Sequence, residues 1–332
     1  MSAESTAAQM RRTTLGRSGM DVSRIAFGTW QLGGDWGATD ETDAIQAIQH
    51  AYERGINFFD TAQGYGFGAS EQLLAKAIRG YPRESVVIAT KGGLRPLGGA
   101  RVERDASAAW VRQGVDDSLR ALATDYIDLL QVHWPDSRTP FAETAGALAE
   151  LVAAGKVRHV GVSNFDPKQM EEFSQTQPVE TLQPPYSIFH RDIEATILPY
   201  TKAHDIGVLV YGPLAHGLLS GHLRGEKQFP EDDWRSHSPD FHGDALTRNL
   251  RAVAQLEELA THALGAPVSQ LAVAWTLANP AVNVAIIGTR SAGHVDDAVD
   301  AASLELTDDV LSRIDDIARD AAHVVGPRPE AM

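Results

Sequence analysis

Along most of this chain, short continuous apolar runs take turns with segments in which apolar residues recur every three or four positions. The first pattern is that of a strand buried on both faces, the second that of a helix with one face on a core. Helical stripes are predicted over 41–54 (Ala44, Ile45, Ala47, Ile48 and Ala51), 70–79, 107–122, 143–154, 167–173 and 192–204. Strand runs fall at 22–27, 56–59, 86–90, 126–132, 157–162, 181–183 and 207–211. A polar stretch, 212–243, breaks the rhythm, and helices at 244–264 and 267–278 with a last strand at 283–287 resume it. The count is eight strand–helix units, and eight doubly buried parallel strands close most readily into a (β/α)8 barrel, the TIM-barrel form of the α/β class. Ahead of the first strand, residues 11–14, a turn at 16–19 and the start of 22–27 predict a small β-hairpin.

No linker rich in Pro, Gly or Ser divides the sequence, so a single domain is expected over 11–332, with 1–10 as a mobile tail. The stretch 212–243 is long for a connection in a compact domain, and such loops commonly cover a binding site. The formal net charge of −15 disfavours nucleic acid and anionic membranes, both of which need a basic face. Small molecules remain the expected partners of a chain that is a monomer or weak homo-oligomer. The absence of cysteine removes disulfides, thiolate zinc sites and cysteine nucleophiles. With no apolar N-terminal segment and no long apolar run, a cytoplasmic location is expected.

Barrels of this class keep their chemistry at the carboxyl ends of the strands. Asp60 ends the run 56–59, Lys91 follows 86–90 in VVIATKGG, and His133 follows 126–132 in LLQVHWPD. Ser163 and Asn164 follow 157–162 in VGVSNF, Gln183 ends 181–183, and Tyr65 stands five residues past Asp60 in a glycine-rich turn. Each has a bland reading as a cap, a solvated amine or a packing residue. Polar residues at consecutive strand ends nevertheless share one mouth. Gly64, Gly66 and Ala69 also match the dinucleotide pattern G-x-G-x-x-A. That match is discounted, because the strand ends too early for it, Tyr65 is out of place in a phosphate turn, and the eight units disfavour a doubly wound sheet.

The segments DTAQGYGFGASE, ATKGG, QVHWPD, GVSNF, LQPPYSIFHR, YGPLAHGLLSG and GTRSAGHVDDA, in this order and spacing, resemble the aldo-keto reductases. They are most similar to the bacterial branch that includes general stress reductases and is related to potassium-channel β-subunits. The resemblance extends from about Arg12 to Val325-Gly326-Pro327. It implies a barrel that binds NADP(H) across the strand ends, with Asp60, Tyr65, Lys91 and His133 as the catalytic tetrad. Gly28, Thr29 and Trp30 match a loop on the nicotinamide side, where Asp60 also lies, and Ser163, Asn164 and Gln183 match the carboxamide contacts. Tyr211 matches the ring that stacks on the nicotinamide. It opens a segment resembling the pyrophosphate loop, with Gly212, Pro213, Leu214, His216 and Leu218. Gly288, Thr289, Arg290, His294 and Asp297 match the site for the adenosine 2′-phosphate and adenine. The pattern departs at Gly212 (usually serine), His222 (commonly lysine) and Ala298 (often asparagine), which leaves Arg235 as a source of positive charge for the pyrophosphate.

Carbonyl reduction needs a proton donor at the oxygen, where negative charge develops. A phenol with an ordinary pKa near ~10 is a poor acid at neutral pH unless a neighbouring ammonium favours its anion. The resemblance casts Tyr65 as that donor, Lys91 beside Asp60 as the ammonium, and His133 as the group that orients the oxygen. Trp30 and Trp134, with Tyr65 and His133, are expected to line the substrate pocket, and Tyr186 is a further candidate for its apolar wall. The leading expectation is an NADPH-dependent reductase that interconverts an aldehyde or ketone, possibly cyclic, with its alcohol. A second is an NADP(H)-binding regulatory or redox-sensing subunit with vestigial turnover. A metal-dependent hydrolase or lyase built on Asp60 and His133 lacks a ligand cluster in the sequence, and no metal is expected.

Overall fold

The computed structural model describes residues 10–33, 40–98, 101–225, 229–231 and 233–328. The chain opens with an antiparallel pair, β1 (Arg12–Thr14) and β2 (Asp21–Ser23). The strands β3 (Ile25–Gly28), β4 (Phe58–Asp60) and β5 (Val87–Gly92) follow, and then a second antiparallel pair, β6 (Leu94–Gly98) and β7 (Arg101–Arg104). The remaining strands are β8 (Ile127–Val132), β9 (Val157–Ser163), β10 (Thr181–Gln183), β11 (Gly207–Val210) and β12 (Val284–Gly288). Strands β3, β4, β5, β8, β9, β10, β11 and β12 pair in parallel in chain order. The barrel closes where β12 meets β3, with Ile286 opposite Ala26 and Gly288 opposite Gly28. This is the (β/α)8 barrel expected from the alternation of patterns, and it rules out the doubly wound sheet.

The helices are α1 (Glu41–Glu53), α2 (Ala69–Ile78), α3 (Ala108–Leu122), α4 (Phe141–Ala153), α5 (Pro167–Ser174), α6 (Ile197–Ala203), α7 (Gly243–Leu264), α8 (Val268–Ala278), α9 (Ala292–Ala301) and α10 (Asp308–Ala318). Their starts obey local chemistry. Asp40 accepts from the Thr42 and Asp43 amides at the head of α1, and Asp166 and Gln169 form a reciprocal capping box on α5. The stripe read as one helix over 192–204 is divided into a 3₁₀ turn, Asp192–Glu194, and α6. Pro199 has no amide to continue a helix from upstream, and it sits in the first turn of α6 where that amide would have no partner. None of the helices among the described residues is long and apolar enough to cross a membrane.

Two apolar layers hold these elements together. One lies between the strands and the helix ring. The other fills the barrel itself and contains Leu15, Val22, Ala26, Phe58, Ala89, Leu129, Leu209, Val284 and Ile286. Leu15 and Val22 come from the N-terminal hairpin, which therefore plugs the amino-terminal mouth of the barrel. The plug is pinned by Asn57 Oδ1, which accepts from the Ser23 amide at 2.7 Å, and by the Asp205 carbonyl, which accepts from the Arg17 amide at 2.8 Å. Met10, assigned from sequence to the mobile tail, is buried against the core, while residues 1–9 lie outside the described residues. The hairpin β6–β7 was not foreseen, although two short runs separated at Gly98 and Gly99 carry a hairpin signature.

If the plug completes the core, Leu15→Ala leaves a cavity beneath the barrel and costs about 2–5 kcal/mol in urea unfolding. Leu97→Ala, at an exposed position on β6, stays within about 0.5 kcal/mol of the parent. Equal losses at the two positions would contradict this role for the hairpin.

Candidate active site

Alternation along each strand carries the interior apolar layer upward into a polar one. Phe58, Ala89 and Leu129 point into the barrel, so Asp60, Lys91 and Gln131, each two residues further on, point the same way toward the carboxyl-terminal mouth. Lys91 lies within β5, not past it as read from sequence, and is aligned with Gln131 on β8. Its Nζ donates to Asp60 Oδ1 at 2.5 Å, to the Thr61 carbonyl at 2.9 Å and to the Tyr65 hydroxyl at 3.2 Å. The second carboxylate oxygen of Asp60 accepts from Gln183 Nε2 at 2.8 Å and from Gln131 Nε2 at 3.4 Å. The Lys91 and Asp60 side chains are only 1% and 4% exposed. Burial pulls the lysine below its ordinary pKa, and the adjoining carboxylate opposes that shift.

Tyr65 is carried by the turn between β4 and α2. A Cβ on Gly33 would lie 2.9 Å from Tyr65, so only glycine there lets the loop after β3 rest on this turn. His133, just past β8, faces Tyr65 edge-on with ring centroids 5.7 Å apart. Its backbone is fixed on both sides: its amide donates to the Gly92 carbonyl at 2.9 Å, and its carbonyl accepts from Asn164 Nδ2 at 3.1 Å. Burial, and then the Lys91 charge, depress the imidazole well below its ordinary pKa, so it is neutral at pH 7. Among the described residues its buried Nδ1 has no hydrogen-bond partner. An oxygen placed between Tyr65 and His133 would meet a phenol backed by an ammonium on one side and a neutral imidazole on the other.

These groups form one end of a cavity of about 480 Å³. Trp30, Trp134, Leu94, Val102 and Phe67 make its apolar wall, two of them brought by the unforeseen hairpin. Trp30 stacks between Tyr65 and Trp234, with centroids 6.3 Å and 6.4 Å away, and His216 meets both tryptophans edge-on. Along the floor, Ser163 Oγ donates to the Gln183 carbonyl at 2.8 Å and Asn164 Nδ2 donates to Ser163 Oγ at 3.0 Å. Tyr211 donates to Asn164 Oδ1 at 2.9 Å, and burial raises its pKa above the ordinary value. Gly28, Gly212, Pro213, Leu214, His216, Gly288 and His294 also line the cavity.

Other residues singled out from sequence lie elsewhere. Thr29 is buried behind the wall, donating to the Asp60 carbonyl and accepting from Ser70 Oγ. Leu218 is enclosed in the outer core, and Asp297 accepts from Gln270 of α8 at 3.1 Å. Tyr186, read as a pocket wall, is packed on Trp275 and donates to Glu194 at 2.6 Å. Its place is the core: its backbone still pairs with Tyr211, but its ring is enclosed between Trp275 and Glu194. Thr289 holds His294 Nδ1 at 3.2 Å, and Arg290 donates to the Gln31 carbonyl at 3.2 Å. Arg235 lines the cavity while bridging Asp233 at 2.6 Å and the His216 carbonyl at 3.2 Å. Burial lowers the Arg290 pKa first, the field of Arg235 adds to the effect, and that of Asp233 opposes it. A polar floor of carboxamides and hydroxyl, aromatic faces and the guanidinium of Arg235 fit a nicotinamide dinucleotide, whose amide, rings and phosphates ask for that donor set.

The structure is thus a closed barrel with a buried lysine–carboxylate pair beside a tyrosine and a histidine at its carboxyl-terminal mouth. The chain belongs to the aldo/keto reductase family, whose model matches residues 24–319. It is similar to the aldo-keto reductase YhdN of Bacillus subtilis (strain 168), with 44% identity over 289 residues, 86% of this chain and 87% of that one. It is also similar to the NADH-specific methylglyoxal reductase of Escherichia coli (strain K12), with 32% identity over 314 residues, 90% and 95% of the two chains. Among solved structures, the glycerol dehydrogenase AKR11B4 from Gluconobacter oxydans superposes with a TM-score of 0.85 at 39% identity, covering 97% of this chain and 99% of that one.

Acid sensitivity follows from the buried imidazoles. His133 and His216 both titrate below the ordinary 6.5 when folded, His216 down to about 4, chiefly through burial and then through His190 and Arg235. The unfolded chain therefore binds more protons below pH 6.5, and the stability these residues contribute is whole above that pH and lost as pH falls toward 4. Resistance to urea drops between pH 7 and pH 4.5. His216→Asn keeps the left-handed backbone at φ 54°, and it makes the drop shallower by up to about 1.4 kcal/mol per pH unit. An unchanged slope in that variant would contradict the assignment.

Proposed function

We propose that this protein is an NADPH-dependent reductase that interconverts a small aldehyde or ketone with its alcohol, with Tyr65 as general acid and base. The observation that carries the reading is the position of Lys91 Nζ, 3.2 Å from the Tyr65 hydroxyl while bonded to Asp60 at 2.5 Å. An ammonium at that distance stabilises negative charge on the phenol oxygen, and Asp60 keeps the ammonium charged inside the barrel. Tyr65 can then give its proton to a developing alkoxide in the reductive direction and recover it in the oxidative one. Neutral His133 supports the substrate oxygen from the other side without adding a second charge beside Lys91. When bound, the nicotinamide supplies the hydride. Ser163, Asn164 and Gln183 would hold its carboxamide, and Tyr211 would face its ring. Trp30 and Trp134 exclude water from the reacting carbon.

The preference for the phosphorylated dinucleotide rests on Arg290 and Thr289. One relative is described as NADH-specific, so membership of the family does not decide between the nucleotides. A guanidinium two residues past the cavity-lining Gly288 matches a phosphate dianion, which NADH lacks. The names of the relatives, a methylglyoxal reductase and a glycerol dehydrogenase, support small oxo and hydroxy compounds as the substrate class.

NADPH oxidation with a panel of aldehydes and cyclic ketones tests the reaction. Tyr65→Phe keeps the ring, so folding and NADPH binding should persist while turnover falls about 10²–10⁴-fold. Lys91→Met should lower turnover and move its pH profile. A Tyr65→Phe protein that binds NADPH normally and still works at more than about a tenth of the parental rate is incompatible with this mechanism.

For the cofactor, Arg290→Ala should weaken NADPH binding by about tenfold or more and leave NADH within about twofold. Equal dissociation constants for the two nucleotides in the parent protein, or an unchanged ratio in the variant, would remove the argument for NADP(H).

A further inference from the structure

Away from the catalytic groups, the C-terminal segment folds back across the mouth of the barrel. Val324 donates its amide to the Phe189 carbonyl at 3.0 Å and is buried, and the Val325 amide donates to Asp240 at 2.9 Å. A Cβ on Gly326 would lie 2.7 Å from His216, and Pro327 lines the large cavity. This docking brings His323 against the loop that leaves β10. His323 Nε2 is 3.3 Å from Asp192 Oδ2, and His190 Nε2 is 3.9 Å from the same oxygen. The two imidazole rings are 4.6 Å apart, and one ligand atom from each of the three residues lies within 4.8 Å of the others.

We propose that His190, Asp192 and His323 form a binding site for a divalent transition metal, zinc being the best match, which clamps the C-terminal segment over the cavity. Zinc bonds to nitrogen and oxygen of about 2.0–2.2 Å in a tetrahedral set place the ligand atoms roughly 3.3–3.5 Å apart. The Asp192–His323 separation already meets this, and the wider gaps close with small side-chain rotations, since both residues are exposed. His190 is the most enclosed of the three: its side chain is 14% exposed, and its ring centroid lies 4.6 Å from that of His323. Two imidazoles and one carboxylate select zinc over calcium or magnesium, which require nearly all-oxygen shells. The fourth position opens to solvent and would hold water. Because one ligand belongs to the tail and two to the barrel loop, occupancy ties tail order to metal. The tail also contributes Pro327 to the cavity wall, so zinc would stiffen that wall without touching Asp60, Tyr65, Lys91 or His133.

The test is titration of zinc chloride into chelator-treated protein by calorimetry, with hydrogen exchange of the tail peptide as a second readout. The expected result is one site per chain and slower exchange over 321–328. His323→Gln and His190→Gln, the first at an exposed position, should each weaken zinc by at least about tenfold, the scale seen when even an outer partner of a metal ligand is lost. In those variants zinc should leave tail exchange unchanged, and calcium or magnesium should not slow it in the parent. Equal zinc affinity in the parent and both variants would overturn the site, because binding would then belong to other surface histidines. Stoichiometric zinc with no effect on tail exchange would overturn the clamp.

Discussion

The buried pair of Lys91 and Asp60 is the constraint around which the mouth of this barrel is arranged. Removing a carboxylate and an ammonium from water costs several kcal/mol for each ion, and only close, fully used hydrogen bonding offsets it. Here the bonding is saturated on the lysine side. The three ammonium protons go to Asp60, to the Thr61 carbonyl and to the Tyr65 hydroxyl. The free carboxylate oxygen is met by two glutamine amides from β8 and β10. The pair therefore ties four barrel strands in one register, and it presents the tyrosine hydroxyl as a by-product of satisfying the lysine.

The rest of the mouth respects that charge. His133 sits nearby, yet burial and the lysine field keep it neutral, so no second cation competes for Asp60. The floor is made of neutral donors and acceptors, while the guanidinium of Arg235, which also lines the cavity, is held by Asp233. The buried ion pair thus lies beneath the tyrosine and histidine, with aromatic walls above them. The C-terminal segment adds a wall that depends on its contacts with Phe189 and Asp240.

Parts of this arrangement were legible residue by residue. The (β/α)8 barrel follows from alternation of doubly buried runs with amphipathic helices, and Asp60, Lys91, His133 and Gln183 stand out as polar residues at strand ends, whereas Gln131, inside the run 126–132, does not. Position on one strand says nothing of neighbours, however. Thr29 reads as a nicotinamide-side loop residue and Tyr186 as a wall residue, until their partners, Ser70 and Glu194, are seen to hold them in the interior. The hairpin β6–β7 left a trace in its paired glycines, but the delivery of Leu94 and Val102 to the cavity did not show in their own sequence.

What the sequence determined by itself was whatever depends on periodicity and local chemistry: the order of elements, their buried faces, the caps and the cluster of polar residues at strand ends. What only the tertiary structure decided was the meeting of segments far apart in the chain. Arg235 is held by Asp233 and the His216 carbonyl, Asp297 is turned toward Gln270, and His323 is brought beside His190 and Asp192 by the docking of the tail. The physical reason is one of range. Strand and helix patterns are set by sterics and burial within a few residues, whereas the direction of a loop side chain is set by the partner that best satisfies it, and that partner is known only once the chain has closed on itself.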